Sequence, residues 1–331
     1  MGNSTIAPAY GSKLKAFQPL LIMALAFSLL PFVVPYTALA NEIMLFALAA
    51  AAFDLCVGYT GVMMFCQASF FGTGVYATSL TLLHLTNNIF VAVLLGVLAA
   101  SILALLFGFM ASLRSGSYAV LLTLAFNEMV YFIAFQWSSV TGGDDGLTGI
   151  TRPNLEVPGI GTLNLQSSLA YYFFCYVIFI LAIFVLRRIT FSPYGKILQA
   201  IRENEERAQA IGYNVHFYKM LVFTISGLFM GLAGSLYSMY ICFAHIHNVH
   251  FETSGNIVMM VLIGGMGTLF GPMIGAFLIV LASDVASAIW ERWLFVMGVL
   301  FIFFVLFARG GIWAMLQNSL AKISGKTVKS A

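Results

Sequence analysis

Apolar segments of similar length recur along almost the whole chain, and short polar connections separate them. A helix needs about 20 apolar residues to cross the hydrocarbon core of a bilayer. Eight segments approach that length, and they are residues 18–39, 41–59, 61–85, 89–113, 117–137, 169–186, 217–243 and 293–309. The pattern therefore predicts eight transmembrane helices.

The apolar segment 254–288 does not fit this pattern. It is too long for one crossing and too short for two crossings with a turn, and the sequence GGMGTLFGP interrupts it at Gly264–Pro272. Non-helical backbone at membrane depth is tolerated where protein or a water-filled cavity surrounds it. The sequence predicts an all-α polytopic membrane protein with about eight transmembrane helices plus a glycine-broken re-entrant or split-helix segment.

A charged loop, residues 187–219, is the one long polar connection with many charges. It holds six of the 15 Lys and Arg residues and three of the 12 acidic residues. The spacing of its apolar residues predicts a helix over Lys196–Ile211, supported by an i,i+4 pair of Glu203 and Arg207 and ended by Gly212. Either this loop is a solvated connector, or its helix inserts into a partner protein.

Composition and charge place these segments in a membrane and orient them. Hydrophobic residues make up 61% of the chain and charged residues only 8%, against about 25% charge in soluble domains. With a cytoplasmic N-terminus, 13 of the 15 cations lie on the cytoplasmic side, and only Arg152 and Arg292 lie outside. This distribution satisfies the positive-inside rule and predicts that both termini are cytoplasmic.

The chain then divides into three regions. A cytoplasmic N-terminal tail covers residues 1–16, and a transmembrane domain covers residues 17–313. A basic cytoplasmic tail covers residues 314–331. Within the membrane domain, the charged loop 187–219 is expected in the cytoplasm and the polar loop 138–168 in the periplasm.

Several polar and small residues in the apolar segments are candidates for a solute path. Asp54, Glu128 and Asp284 are ionisable groups that are costly in hydrocarbon, so each faces a polar path or makes a structural hydrogen bond. The glycines of the third segment permit close helix packing or mark a broken helix that lines a path. The helix ends near Gly264–Pro272 are expected to meet a solute carboxylate. The candidate path residues are Gln67, Gly72, Gly74, Glu128, Gly264, Gly265, Gly267 and Gly271.

Other chemistries find little support in the sequence. The four cysteines lack the spacing of disulfide or metal motifs. His245, His247 and His250 form HIHNVH beside Glu252, a spacing that allows a metal site, but a wetted outer surface is favoured and no metal is expected. Gly325-Lys326-Thr327 resembles the end of a P-loop, yet Leu320 stands where that motif needs glycine. No cofactor is therefore expected on this chain, and no enzymatic activity.

Four stretches carry a resemblance to a known family. They are GYTG with QASFFGTGVYA (58–77), TGGDDGLTGI (141–150), the charged loop from Tyr194 leading into FTISGLFMGLAGSLYS (223–238), and VMMVLIGGMGTLFGPMIGA (258–276). Residues 206–212 also resemble the E-A-A-x-x-x-G loop of ABC importer permeases, with Arg207 where that motif has its first alanine. The chain resembles the M-type permease subunits of bacterial branched-chain amino acid ABC importers, a group that includes urea and short-amide permeases.

The resemblance implies a role and a set of partners. It implies a multi-pass subunit in the bacterial inner membrane that pairs with an H-type permease and translocates a small polar solute, branched-chain or related amino acids. Two cytoplasmic ATPases would bind ATP and Mg, and a periplasmic binding protein would deliver the solute; no nucleic acid is involved. The alternatives are a urea or short-amide permease, and an ion-coupled carrier or channel without an ATPase. The implied ATPase-coupling residues are Arg202, Glu203, Glu206, Arg207, Ala208 and Gly212.

Overall fold

Helices form most of the computed structural model, which describes residues 13–114, 116–157, 161–289, 291–307 and 311–313. The helices are α1 (Lys13–Val33), α2 (Thr37–Thr60), α3 (Gln67–His84), α4 (Ile89–Ser112), α5 (Ser117–Gln136), α6 (Ser138–Thr141), α7 (Ser168–Thr190), α8 (Pro193–Glu203), α9 (Glu205–Ala210), α10 (Val215–Ile241), α11 (Phe251–Gly264), α12 (Gly271–Ile289) and α13 (Trp293–Phe307). Strands β1 (Leu155–Val157) and β2 (Gly161–Leu163) form a small antiparallel hairpin.

Length and composition support a membrane-spanning bundle. In the part of the chain that the structure describes, six helices are long and apolar enough to cross a membrane, namely α2, α4, α5, α7, α10 and α12. The apolar parts of α1, α11 and α13 are shorter, and α3 has 18 residues that are mostly buried inside the bundle. The helical polytopic class predicted from the sequence is confirmed.

Small residues bring α3, α4 and α10 into close contact. Gly231 on α10 lies against Ala100 on α4 and against Gly74 on α3, and Gly227 lies against Ala104. A Cβ atom on either α10 glycine would overlap its neighbour. Small residues let helix backbones approach where lipid supplies no hydrophobic drive between helices. The glycines of the third apolar segment and of α10 therefore hold this three-helix layer together.

The break in segment 254–288 is confirmed, but its two arms are unequal. α11 ends at Gly264, a turn occupies residues 265–270, and α12 begins at Gly271. With 19 residues, α12 is long enough to cross a membrane, whereas α11 has 14. The segment accommodates two helices because α11 begins already at Phe251 and because the turn between the helices is short. In this turn φ is 115° at Gly265 and 76° at Gly267. Only residues without a Cβ adopt such angles readily.

The charged loop contains two helices where the sequence predicted one. Asn204 has extended backbone, with φ −162° and ψ 107°, and it ends α8. Its side chain then accepts a hydrogen bond from the Arg207 amide at 2.8 Å and caps α9, as asparagine does at helix N-termini. The predicted continuous helix and the Glu203–Arg207 pair along it are wrong. An ion pair of Glu205 with Lys219, at 2.7 Å, instead joins α9 to α10.

The longest connection at the opposite end of the bundle is the loop between α5 and α7. Loop 138–168 contains α6, a 3-10 turn at Gly143–Asp145 and the β1–β2 hairpin. Its Leu147 exchanges two main-chain hydrogen bonds with Ala244, at 2.9 and 3.1 Å. Residues 1–12 of the predicted N-terminal tail and the whole predicted tail 314–331 lie outside the described residues, and Lys13–Ala16 belong to α1.

Candidate functional site

Three elements meet at one end of the bundle: the C-terminal half of α2, the turn 265–270 and helix α8 of the charged loop. Asp54 of α2 is completely buried, and its carboxyl oxygens accept hydrogen bonds from the amides of Gly267 at 2.7 Å and Leu269 at 3.1 Å. One turn further along α2, Gly58 lies so close that a Cβ atom would overlap both Asp54 and the Gly267 amide. The turn is therefore attached to α2 through a buried side chain.

Arg202 connects this attachment to the charged loop. It lies in the last turn of α8, and its guanidinium donates a hydrogen bond to the Gly58 carbonyl. The same side chain lies within contact distance of the Cβ positions of Gly61 and Gly267. We name Asp54, Gly58, Arg202, Gly267 and Leu269 the junction. The junction therefore connects α8 to both α2 and the α11–α12 hairpin.

The predicted coupling residues Arg202, Glu203, Glu206, Arg207 and Gly212 are all exposed to solvent. Arg202 and Glu203 are exposed toward a cavity beside α8, whereas Glu206, Arg207 and Gly212 lie outside its lining. The side chain of Ala208 is buried in a small apolar cluster with Ile201 and Val215, which seats α9 against the start of α10. Ile211 is 72% exposed beside these charged residues. The described loop thus presents a mixed charged and apolar surface to the solvent.

Two cavities flank the chain segment between α2 and α3. The inner cavity has a volume of about 500 Å³ and lies between α2, α5 and the charged loop. Its charged lining consists of Arg114, Arg202, Glu203, Glu205 and Lys219.

The lateral cavity has a volume of about 470 Å³ and lies between α11, α13 and the same segment. Its lining is mainly apolar, with Glu252 and Asn256 as the polar residues. Met63 lines both cavities. The segment that carries Met63 therefore separates a mainly apolar cavity from a charged one.

The predicted path residues on α3 lie in the interior and line neither cavity. Gln67 is fully buried, and neither polar atom of its amide has a partner among the described residues. Gly72 packs against Val249, and Gly74 packs against Gly231. Close packing alone accounts for both glycines.

The glycines in and next to the turn also make their contacts within the protein. Gly264 packs against Gly271, and the Gly267 amide is donated to Asp54. The sequence led us to expect that such amides meet a solute carboxylate; here they meet a side-chain carboxyl of α2. Gly265 supplies the positive φ that the turn needs.

The ionisable residues predicted in the apolar segments have different surroundings. Asp284 accepts a hydrogen bond from the Tyr36 hydroxyl at the end of the bundle away from the charged loop. Glu128 is half-buried on α5, and its carboxylate has no partner among the described residues. Its neighbour Asn127 points into the core, where its side-chain oxygen accepts from the amide and the hydroxyl of Ser69 at 3.2 and 3.0 Å. Asn127 thus caps the start of α3.

Sequence reasoning missed several residues that line the cavities. Met63, Gly255 and Asn256 line the lateral cavity, and Arg114 and Glu205 line the inner one. Asn256 is the last polar residue of α11 before an unbroken apolar run, and polar residues in such positions mark solute paths or structural contacts. That signal was available in the sequence; the location of Met63 between two cavities was not.

Comparison with known proteins identifies the class to which this arrangement belongs. A family model described as the permease component of the branched-chain amino acid transport system matches residues 36–305. The chain is a membrane-spanning permease subunit of a transport system. It belongs to the family of branched-chain amino acid transport permease components.

Curated relatives match over nearly the whole chain. The high-affinity branched-chain amino acid transport system permease protein LivM of Salmonella typhimurium is 25% identical over 98% of this chain and 81% of its own length. The LivM of Escherichia coli shows the same values. The probable LivM of Methanocaldococcus jannaschii is 26% identical over 60% of this chain and 59% of its own length. No solved structure is significantly similar to this chain.

Proposed function

We propose that this permease works as the M-type subunit of an inner-membrane ABC importer for branched-chain or related amino acids. Its partners would be an H-type permease, two cytoplasmic ATPases that hold ATP and Mg, and a periplasmic solute-binding protein. The hydrogen bond from Arg202 to Gly58 carries the proposal, because it joins an exposed surface helix to the helices around the cavities. An ion-coupled carrier has no need for such a connection from an exposed helix.

The proposed topology follows from the same geometry. The charged loop, the end of α2, the turn 265–270 and residue Gly311 lie at one end of the bundle, since Gly311 approaches Gly265. Assigning this end to the cytoplasm puts both termini there, with eight crossings plus the α11–α12 hairpin. The opposite end, with Ala244 and loop 138–168, would face the periplasm and receive the solute.

The two cavities suit an amino acid with an aliphatic side chain. The lateral cavity has a mainly apolar lining that includes Phe65, Val258 and Met259, which suits a branched hydrocarbon group. In the inner cavity Lys219 pairs with Glu205 and Arg202 bonds to Gly58, which leaves Arg114 and Glu203 to meet the carboxylate and the ammonium group of one solute. This combination favours a branched-chain amino acid over urea or a short amide. In the proposed cycle, ATPase closure displaces α8, and the junction shifts the segment that carries Met63.

The docking surface is tested by the double variant Glu206→Lys with Ile211→Glu. We expect this variant to lose the co-purifying ATPase, because it reverses a charge and places another on the exposed apolar residue of the loop. The measurement is affinity purification from native membranes, followed by mass spectrometry. Asp145→Lys, an exposed charge reversal at the opposite end, is the control and should retain the ATPase. A carrier is indicated if the unaltered chain purifies alone and transports solute in vesicles without ATP.

The lateral cavity is tested by Gly255→Leu. A Cβ atom at Gly255 meets nothing within 4 Å, so the fold should accept the side chain while the cavity loses volume. We expect leucine uptake to fall by at least about tenfold, equivalent to about 1.4 kcal/mol, while the subunits still co-purify. Ala288→Leu adds a similar volume at an exposed site on α12 and should leave uptake unchanged. If Gly255→Leu and Ala288→Leu show equal leucine uptake, the solute path does not run through the lateral cavity.

A further inference from the structure

Three potential metal ligands converge where the chain enters α11. They are His247, His250 and Glu252, and one ligand atom from each lies within 4.8 Å of the other two. His247 belongs to a 3-10 turn at Ile246–Val249, His250 is the N-cap of α11, and Glu252 lies in its first turn. The group follows Ala244, so it lies at the end of the bundle away from the charged loop.

The local backbone aims these side chains at one another. The rings of His247 and His250 stack with centroids 5.7 Å apart and an interplanar angle of 13°. The Nε2 atom of His247 lies 3.9 Å from a carboxylate oxygen of Glu252. The Glu252 amide donates a long, weak hydrogen bond to Nδ1 of His250, at 3.4 Å. This contact leaves Nε2 of His250 available as a ligand atom.

Two imidazoles and one carboxylate form a ligand set with a defined preference. Nitrogen ligands suit Zn²⁺, Co²⁺ and Ni²⁺, whereas Mg²⁺ and Ca²⁺ prefer oxygen alone. Ligand atoms at about 2.0–2.1 Å from a tetrahedral Zn²⁺ lie roughly 3.3–3.5 Å apart. The ligand atoms, now within 4.8 Å of one another, would have to move closer on metal binding. The His247 and Glu252 side chains are 52% and 32% exposed, which leaves them room to rotate.

We propose that His247, His250 and Glu252 form a binding site for a divalent transition-metal ion of the Zn²⁺ class. Three protein ligands leave a fourth position open to water or to another small ligand. Glu252 also lines the lateral cavity, so a bound ion occupies the mouth of that cavity and slows entry of the solute. This second statement rests on the proposed function, whereas metal binding itself does not.

The binding experiment uses the full-length chain, with the subunits that co-purify, carrying an affinity tag without histidines. Co²⁺ is the spectroscopic probe, and Zn²⁺ is then added to displace it and give the Zn²⁺ affinity. We expect His247→Ala and His250→Ala each to weaken Zn²⁺ binding at least about tenfold, since even loss of an outer partner of a ligand costs roughly 10–100-fold. Glu252→Gln should weaken it as well.

His84→Ala is the matched control, because His84 is an exposed histidine at the end of α3 and does not belong to the triad. It should keep Zn²⁺ affinity within about twofold, far less than the tenfold expected for a lost ligand. The proposed site is overturned if His84→Ala weakens binding as much as His247→Ala, or if the double variant of His247 and His250 binds Zn²⁺ unchanged. His247→Gln and His250→Gln repeat the test with polar side chains if an alanine variant co-purifies poorly.

Uptake gives the second, separate outcome. Zn²⁺ added outside should inhibit leucine uptake by the unaltered complex and not by the double variant. If Zn²⁺ binds at the triad but uptake continues unchanged, the metal site stands and its position at the mouth of the solute path is wrong. Inhibition that persists in the double variant assigns the effect to another site.

Discussion

Replacing Asp54 with leucine is expected to abolish uptake, because it breaks the attachment of the turn 265–270 to α2. Two amides, those of Gly267 and Leu269, lose their only acceptor seen in the structure, a side chain that is completely buried. Leaving a buried donor unsatisfied costs roughly 1–3 kcal/mol, so the two together cost roughly 2–6 kcal/mol. A loss of this size shifts the turn away from Arg202 even where the bundle still forms.

The experiment measures uptake and ATPase activity of the same purified complex in vesicles. For Asp54→Leu we expect ATP hydrolysis to continue without solute transport, since α8 still docks but no longer moves the hairpin. Asp54→Asn keeps the shape and one acceptor oxygen, so it should lose less. Asp284→Leu is the control, since it removes one hydrogen bond from Tyr36 at the other end of the bundle. Normal uptake by Asp54→Leu would exclude the junction from the transport cycle.

The sequence predicted features that depend on composition over a long window. Apolar length gave the membrane class, and the run Gly264–Pro272 located the hairpin turn, because glycine and proline disfavour a continuous helix. The charged loop was located in the same way. Each of these features is a property of consecutive residues, so no knowledge of distant contacts was needed.

The break at Asn204 shows where local patterns compete. The spacing of Glu203 and Arg207 favoured one helix, whereas asparagine followed by Glu205 and Glu206 is also a helix start, with acids in the first turn. In the structure Asn204 caps the start of α9. The ion pair of Glu205 with Lys219 stabilises the second helix, and a window of one helix length does not include that contact.

The junction could not be predicted, because its members are far apart in the sequence. Asp54 and Gly267 are separated by 213 positions, and Gly58 and Arg202 by 144. An ionisable residue in an apolar segment marked Asp54 as unusual. The local sequence does not distinguish a residue that lines a solute path from one that accepts structural hydrogen bonds. Only the fold shows that its oxygens accept from the turn. The same reasoning applies to Gly72 and Gly74, where packing against Val249 and Gly231 explains the glycines.

The largest loss of stability is expected for Gly275→Leu, at the closest approach of the two arms of the hairpin. A Cβ atom at Gly275 would overlap the Met260 carbonyl, so α11 and α12 must separate to admit any side chain. Overpacking costs about 1–3 kcal/mol where side chains can adjust. Here the obstacle is the backbone, so the cost should exceed about 3 kcal/mol, the upper end of that range.

The control for this variant is Gly298→Leu on α13, where a Cβ atom meets nothing within 4 Å. Both variants remove a helical glycine and add the same side chain, so only the close approach differs between them. We expect Gly275→Leu to yield little monodisperse protein in detergent and Gly298→Leu to match the unaltered chain in yield and thermal unfolding. Gly275→Ala should fall between them. If Gly275→Leu unfolds at the unaltered temperature, then α11 and α12 do not pack at this distance, and the position of the turn against Asp54 must be revised with them.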